Sequence, residues 1–417
     1  MRILKLTPEV EKELLGARQV RDAEAERATA EIIAEVRKCG DEALFAFARK
    51  FDKPDFCEGD LRIGKSAMRA ARKKASPEFL RAVRQASKNI RAVAEKQLPK
   101  PWSLKVEAGV RIHQQVTAID SIGCYVPGGR FALVSTLLMT VIPAQVAGVR
   151  RIAVVCPKPN EELLAAADVL GVAEILRIGG AQAIAALAYG TESVGRVEKI
   201  FGPGNRFVTA AKQIVSGDCA IDLPAGPTEA IVLADSGNAS WIAADLLAQA
   251  EHAPDAGSFL VTTSVKFGER VVKEVEAQLD GLPKTNPAYQ SMNTVGAVLV
   301  AASRTAACEF VNRFAPEHLS IPSGSRALLA QIKCAGTIFS TPWGAQPFGD
   351  YVSGSNHVLP TGGWARRRGG LSAADFVKCA TVQEITREGM KRLAASTEAF
   401  ATAEGLLAHK NAVSVRR

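Results

Sequence analysis

Long apolar runs, C-x-x-C pairs and a dinucleotide-binding fingerprint are all missing from this 417-residue sequence. No stretch approaches the ~18 apolar residues of a membrane-spanning helix, and residues 1–20 hold no apolar core followed by a cleavage site. These absences argue against a membrane partner and predict a cytoplasmic location. The eight cysteines are scattered, so neither a thiolate zinc site nor a disulfide framework is indicated.

Aromatic residues are also scarce, at 6% of the chain, although the net charge is +9. A basic chain raises the hypothesis of nucleic-acid binding. Much of the excess lies in residues 62–105, whose helical spacing places Lys and Arg on the wet faces of helices. Few side chains are available to stack on bases, and no zinc finger or RNA-recognition signature is present. We expect no nucleic-acid partner and keep a non-catalytic nucleic-acid-binding protein as the alternative.

The overall composition, 47% hydrophobic and 23% charged, is that of a globular protein with two or three domains. Residues 7–102 have a helical pattern. From Gly123 onward the pattern becomes strand, glycine loop and helix, repeated. Strands are predicted at 124–126, 151–156, 175–178, 199–201 and 220–223, with helices at 135–147, 160–170, 181–189 and 205–215. Such alternation predicts a parallel sheet covered on both faces.

A second open α/β unit is predicted between residues 230 and 340. Its strands are expected at 230–233, 258–263, 295–300 and 337–340, and its helices at 266–279 and 304–314. Helices are expected again from Ser372 to the end of the chain. The predicted fold class is therefore α/β, with two open Rossmann-like parallel sheets, a helical N-terminal region and a helical C-terminal tail.

Glycine-rich loops follow three strands of the first sheet, at residues 125–129, 179–182 and 202–205. Parallel strands place these loops along one edge, where doubly wound sheets bind ligands. Glycine lets the backbone approach phosphates, and helix N-termini supply donors for anions. Because G-x-G-x-x-G is absent, a dinucleotide site here would be irregular. Turn formation is the alternative explanation for each glycine.

Two clusters of polar residues indicate chemistry. Gln249 and His252 are three apart in the last turn of a predicted helix, so an amide oxygen and an imidazole share one face and could hold a metal. The alternative is a solvated Gln and a His that favours the helix dipole. Asp350 would complete a nitrogen and oxygen shell suited to zinc. Glu317 beside His318 supplies two adjacent proton carriers.

Longer motifs in the sequence resemble the histidinol dehydrogenase family over essentially the whole chain. The matching segments are 123–129 (GCYVPGG), 201–205 (FGPGN), 221–229 (IDLPAGPTE), 249–252 (QAEH), 315–319 (APEHL), 349–351 (GDY), 355–361 (SNHVLPT) and 404–409 (EGLLAH). A chance match to all of these is far less expected than a chance match to one short pattern.

The resemblance implies roles for individual residues. The catalytic pair would be Glu317 and His318. Zinc would be held by Gln249, His252, Asp350 and His409, with His409 donated by the other subunit of an intertwined homodimer. The substrate would be contacted by Thr228, Gln249, His252, His318, Asp350, His357, Glu404 and His409. NAD would be contacted by Tyr125, Gln182 and Asn205.

The resemblance also implies an activity and a division of the chain. The family oxidises L-histidinol to L-histidine through the aldehyde, reducing two NAD and consuming one water. We predict an N-terminal arm at 1–20, a zinc- and substrate-binding domain from 21–120 and 229–370, an NAD-binding domain at 121–228 and a tail at 371–417. The closest alternative is a family member that oxidises a different small primary alcohol. No role follows for Trp343, Trp364 or residues 366–368.

Overall fold

A computed structural model of the chain describes residues 1–18, 22–128, 132–223 and 226–417. The strands are β1 Arg2–Lys5, β2 Arg62–Gly64, β3 Trp102–Glu107, β4 Val110–Ala118, β5 Ser121–Tyr125, β6 Arg151–Val155, β7 Glu174–Leu176, β8 Lys199–Phe201, β9 Ala220–Ile221, β10 Glu229–Leu233, β11 Gly257–Thr262, β12 Ala297–Val300, β13 His318–Ser320, β14 Thr337–Phe339 and β15 Val377–Ile385. The helices are α1 Pro8–Ala17, α2 Ala23–Phe51, α3 Lys65–Lys74, α4 Pro77–Gln97, α5 Val134–Ala147, α6 Glu161–Leu170, α7 Gly180–Tyr189, α8 Arg206–Val215, α9 Ala239–Ala250, α10 Val265–Leu279, α11 Ala288–Thr294, α12 Arg304–Phe314, α13 Arg326–Leu329, α14 Gln346–Tyr351, α15 Arg387–Ala403 and α16 Leu407–Ser414.

The first sheet has the strand order β2-β7-β6-β5-β8-β9. All neighbours are parallel except β2, which runs antiparallel to β7. Alternate side chains of β6 point to opposite faces. Val155 packs with α7 residues such as Leu187 on one face, and Val154 packs with α5 and α6 residues such as Leu137 and Leu163 on the other. The sheet is therefore buried on both faces, as a parallel sheet requires.

The second sheet has the order β1-β12-β11-β10-β13-β14, and all its neighbours are parallel. Helices α9 to α11 cover one face, where Leu260 of β11 packs with Leu246. Helix α12 covers the other, where Phe259 and Val261 pack with Phe310. Two open parallel sheets with helices on both faces confirm the predicted α/β fold class.

The first residues of the chain differ from the predicted arm at 1–20. Strand β1 joins the edge of the second sheet by pairing with β12. Leu4, Val10 and Leu14 pack on the core that contains α12. The strand has only four residues, and its pairing partner lies almost 300 residues later, so local sequence gave no signal for it.

The predicted grouping of residues 21–120 with 229–370 is not the packing that the structure shows. Helix α2 packs through Ile33 and Leu44 on the first sheet's core, and α3 and α4 pack through Met68 and Ile90 on its other face. Strand β2 extends the same sheet. Periodicity showed the apolar faces of these helices, but it carries no information on which sheet a face covers.

The C-terminal segment also departs from the prediction of helices from Ser372 onward. After a short 3-10 turn, β15 pairs antiparallel with β4, and β3 completes a separate three-stranded sheet. Phe376, just before β15, is buried against Phe201 with ring centroids 4.0 Å apart. Nearly all of β15 is exposed. Helices α15 and α16 follow it, as predicted for the end of the chain.

None of the helices in the described ranges is long and apolar enough to cross a bilayer.

Candidate active site

The candidate site lies where the two sheets meet. Tyr125 is the last residue of β5, and Asn205 lies in the loop after β8, so both are at the carboxyl ends of first-sheet strands. Thr228 and Glu317 instead immediately precede β10 and β13. The second sheet therefore contributes the amino ends of its strands, not the carboxyl ends at which doubly wound sheets usually bind ligands. A cleft of about 1080 Å³ opens between these edges, lined by Asn205 from one unit and Thr228 from the other.

A chain of hydrogen bonds runs to the carboxylate of Glu317, which is almost completely buried. The Thr228 hydroxyl donates to Glu317 Oε2, and the Glu229 backbone N–H donates to the same oxygen at 3.0 Å. Gln249 Nε2 donates to Thr228 Oγ1 at 2.7 Å. Gln346 Nε2 in turn donates to Gln249 Oε1.

The donor and acceptor roles in this series of hydrogen bonds determine the orientation of the Gln249 side-chain amide. A threonine hydroxyl has one proton, and Thr228 gives it to Glu317. Toward Gln249, Thr228 can therefore only accept, so the Gln249 side chain must present its NH₂ group. The Gln249 oxygen faces away from Thr228, toward Gln346.

His318 lies between two carboxylates. Its Nδ1 is 3.8 Å from Glu317 Oε2, and its Nε2 is 3.6 Å from Asp350 Oδ1. Both distances are too long for hydrogen bonds. Within the described ranges the buried Nδ1 atom has no hydrogen-bond partner.

The carboxylates set the protonation of this cluster. Burial opposes the charged form of His318, but Glu317 and Asp350 outweigh it and raise the pKa of the imidazole. Burial also opposes the charged form of Asp350 and would raise its pKa. The nearby histidines, His318 above all, outweigh burial, so the pKa of Asp350 is lowered. His318 is thus a stronger base than a free imidazole, and Asp350 keeps its carboxylate.

His357 closes the cluster from the loop after α14. Its Nδ1 is 3.0 Å from the Asp350 carbonyl oxygen, and its Nε2 is 3.2 Å from Thr136 Oγ1. Burial lowers the pKa of His357, which favours the neutral ring. Its two partners belong to different sheet units, so His357 links α5 of the first unit to α14, which carries Asp350.

The three residues predicted to contact NAD lie along the carboxyl edge of the first sheet. Tyr125 accepts a hydrogen bond from the Gly180 N–H at 3.1 Å through its hydroxyl. Gln182 donates to Asp52 Oδ2 at 3.3 Å. Asn205 caps α8 by accepting from two backbone N–H groups. Gly202 has a φ of 109°, and a Cβ there would lie 2.1 Å from the Tyr125 carbonyl oxygen, so only glycine fits this loop.

Three of the residues predicted to bind zinc or substrate, His252, Glu404 and His409, are exposed. Helix α9 ends at Ala250, so His252 follows the helix instead of sharing its last turn with Gln249. It is exposed, with Nδ1 3.0 Å from the Ala248 carbonyl oxygen, yet close enough for its charge to act on Asp350. Glu404 and His409 are exposed on the tail. No hydrogen bond or ion pair of the described residues joins these two to the cluster.

The predicted zinc ligands are only partly assembled within one chain. Across residues 1–18, 22–128, 132–223 and 226–417, no group of three or more His, Cys, Asp or Glu side chains is placed to hold a metal. The predicted set has two such residues near the cleft, His252 and Asp350, beside the Gln249 amide. Imidazole nitrogen with carboxylate and amide oxygen is a donor set that zinc accepts.

The structure adds two residues to the site, Gln346 and Arg18, that the sequence patterns did not indicate. Gln346 contacts Gln249 from the start of α14, and Arg18 forms an ion pair with Glu229. Glu229 belongs to a recognised motif, which was a signal for it. Gln346 and Arg18 stand in ordinary helical contexts that gave none.

Glu317 and His318 are buried next to Thr228, which lines a cleft between two parallel-sheet units. This α/β architecture is typical of enzymes of the dehydrogenase class. The family profile described as Histidinol dehydrogenase matches residues 16–417. The chain belongs to the histidinol dehydrogenase family, and it is an NAD-dependent oxidoreductase. The resemblance inferred from the motifs is confirmed.

Individual relatives match over nearly their whole length. Histidinol dehydrogenase of Aquifex aeolicus is 43% identical over 401 residues, covering 96% of this chain and 94% of the relative. That of Escherichia coli K12 is 42% identical over 418 residues, covering 98% and 95%. The crystal structure of histidinol dehydrogenase from Elizabethkingia anophelis superposes with a TM-score of 0.94 at 36% identity, covering 100% of this chain and 98% of that one.

The hydrogen-bond chain predicts how Thr228 variants behave. Thr228→Val should lower the free energy of unfolding by about 1–3 kcal/mol, because it leaves the Gln249 NH₂ and one side of Glu317 unpaired. Thr228→Ser keeps the hydroxyl and should lie within about 1 kcal/mol of the parent. Urea unfolding at a fixed protein concentration measures both. Equal losses in the two variants would contradict the assigned hydrogen bonds.

Proposed function

We propose that the protein oxidises L-histidinol to L-histidine through the aldehyde, reducing two NAD and consuming one water, as the last steps of histidine biosynthesis in the cytoplasm. The observation that carries the proposal is the pair of adjacent buried residues Glu317 and His318, held beside the interdomain cleft in a chain of this family. A four-electron oxidation needs a proton acceptor for the alcohol and a base for water, and this pair supplies both.

In the first oxidation His318 takes the proton of the alcohol. The neighbouring carboxylates support this role, because they stabilise the imidazolium that forms. NAD, when bound, accepts a hydride in each oxidation. Binding of NAD along the first sheet is supported by Tyr125 and Asn205 at its carboxyl edge. A second cleft of about 310 Å³ at that edge is lined by Asp52 and Lys158.

In the second oxidation Glu317 activates the water that adds to the aldehyde. Its donors, Thr228 and Glu229, share Oε2, so Oε1 remains available to accept a water proton. Holding the aldehyde in the cleft between the two steps protects it from solvent.

The direct experiment measures NADH formed per L-histidinol with zinc present. We expect two NADH per substrate, since both oxidations occur before release. Other amino or sulfonated primary alcohols serve as controls for the alternative activity. No turnover of L-histidinol alongside turnover of another alcohol would contradict the proposed substrate.

Glu317→Gln tests the division of labour. The variant should slow oxidation of supplied L-histidinal by about 10²-fold or more, because general-base catalysis is lost, and should slow the first hydride transfer less than the second. Single-turnover absorbance at the NADH band resolves the two steps. An equal loss in both would mean that Glu317 does not activate water.

Zinc is proposed to bind Gln249, His252 and Asp350 of one subunit together with His409 of the other. The donor types suit zinc. The neighbouring histidines outweigh burial and lower the pKa of Asp350, and the Gln249 oxygen faces away from Thr228, with one of its two lone pairs taken by Gln346. When bound, zinc would orient the substrate through its imidazole and amino nitrogens.

His252→Asn should lower the zinc content of purified protein strongly. Loss of an imidazole ligand removes a nitrogen donor from a four-residue set. Elemental analysis after dialysis measures the content, and His113→Asn is the matched control, because His113 lies on β4 against Glu384. Unchanged zinc in the His252 variant would refute the ligand assignment.

A homodimer with shared active sites is proposed from the tail. His409 and Glu404 are exposed and have no described partner near the cluster. Phe400 and Leu407 beside them are each 72% exposed, which is unusual for large apolar side chains unless another surface covers them.

Subunit mixing tests the shared site. His318→Asn and His409→Asn variants should each be inactive, and mixing equal amounts under exchange should restore about one quarter of parental activity. Half of the dimers are then mixed, and each holds one complete site. The rate of NADH formation before and after exchange measures recovery. No recovery after verified exchange would contradict a site built from both subunits.

A further inference from the structure

A buried ion pair outside the catalytic cluster joins the start of the chain to its centre. Arg18 Nε donates to Glu229 Oε2 at 2.6 Å, and Arg18 Nη2 donates to Glu229 Oε1. The side chains are 11% and 4% exposed. Charged groups are seldom buried so deeply, and removing one partner of such a pair leaves an uncompensated charge.

The same guanidinium fastens the turn that leads to the catalytic pair. Arg18 Nη1 donates to the Phe314 carbonyl oxygen, and the guanidinium lies 3.7 Å from the centroid of the Phe314 ring. Ala315 follows with a φ of 51°, alone among the described non-glycine residues in having a positive φ. This left-handed conformation is unfavourable for alanine. It needs outside support, and Glu317 is only two residues further on.

Glu229 carries the connection to the base itself. Its backbone N–H is one of the two groups, among the described residues, that donate to the Glu317 carboxylate. Its own Oε1 accepts from the Gly362 N–H at 3.1 Å, in the loop beyond His357. The ion pair therefore connects the end of α1, β10, the end of α12 and the loop beyond His357. The end of α12 precedes Glu317 by three residues, and β10 contacts the Glu317 carboxylate through the Glu229 N–H.

An anion-binding role for Arg18 is disfavoured by its contacts. Although Arg18 lines the main cleft, three of its five N–H groups already donate to Glu229 and Phe314. Burial raises the pKa of Glu229, and Arg18 opposes that shift. The guanidinium is therefore committed to holding protein groups in place.

We propose that the Arg18–Glu229 ion pair is a positioning device for Glu317, which fixes the carboxylate for water activation in the second oxidation. The inference rests on the proposed role of Glu317 as that base. Neither Arg18 nor Glu229 needs to contact the substrate. The first oxidation depends less than the second on the position of the Glu317 oxygens, because its proton goes to His318.

Arg18→Met and Glu229→Gln test the proposal. We expect kcat for supplied L-histidinal to fall by about 10²-fold, the size of effect that a misplacement of about 1 Å produces, with KM nearly unchanged. The first hydride transfer from L-histidinol should fall at least about 10-fold less than the second. NADH formed per histidinol should drop from two toward one as aldehyde escapes. Arg18→Lys, which retains the charge but not the two-point contact, should show a smaller selective loss.

Arg313→Met is the matched control. Arg313 also joins α12 to α1, through Glu11, but its side chain is 49% exposed and contacts nothing at Glu317. Its two oxidation rates should equal those of the parent. If Arg18→Met does not fold, Arg18→Lys and Glu229→Gln carry the test, with circular dichroism confirming their structure.

Equal loss of both oxidations, or no loss, in the folded variants would overturn the proposal. Failure of the underlying function is recognised separately. It would appear in the parent as fewer than two NADH per histidinol, or in Glu317→Gln as equal loss of both steps, before any ion-pair variant is made.

Discussion

Parallel pairing of β10 with β13 is the constraint on which the site depends. The register sets Ala230 opposite His318, so Glu229, the first residue of β10, and Glu317, the residue just before β13, must also be neighbours. That adjacency brings the Glu229 N–H to the Glu317 carboxylate and places Thr228 within reach of it. The central residues of the site are therefore positioned by backbone hydrogen bonds, and side chains refine what the sheet has already arranged.

The two sheets use opposite edges for this purpose. The first presents the carboxyl ends of its strands, where Gly202 allows the backbone to pass close to Tyr125. The second presents the amino ends of β10 and β13. Such an arrangement lets the loop that carries Asn205 face Thr228 across a cleft, with each residue held at the end of a rigid sheet of its own.

Many helices and strands were predictable, because the periodicity of apolar residues along the sequence indicates them. Helix α12 and strand β8 have the predicted boundaries, and the adjacent pair Glu317 and His318 was evident from its chemistry. Strands β1 and β15 were not predicted, since their partners lie far away in sequence. Gln346 and Arg18 were missed for the same reason: both act through tertiary contacts that no spacing rule encodes.

The sheet formed by β15, β4 and β3 has a consequence for handling the protein. Both its edge strands are largely exposed in the single chain, and such edges are templates for pairing with other chains. If the proposed homodimer is separated by dilution or warming, these exposed edges would be open to non-native pairing with other chains. Inactivation would then become irreversible, and its rate would rise with protein concentration.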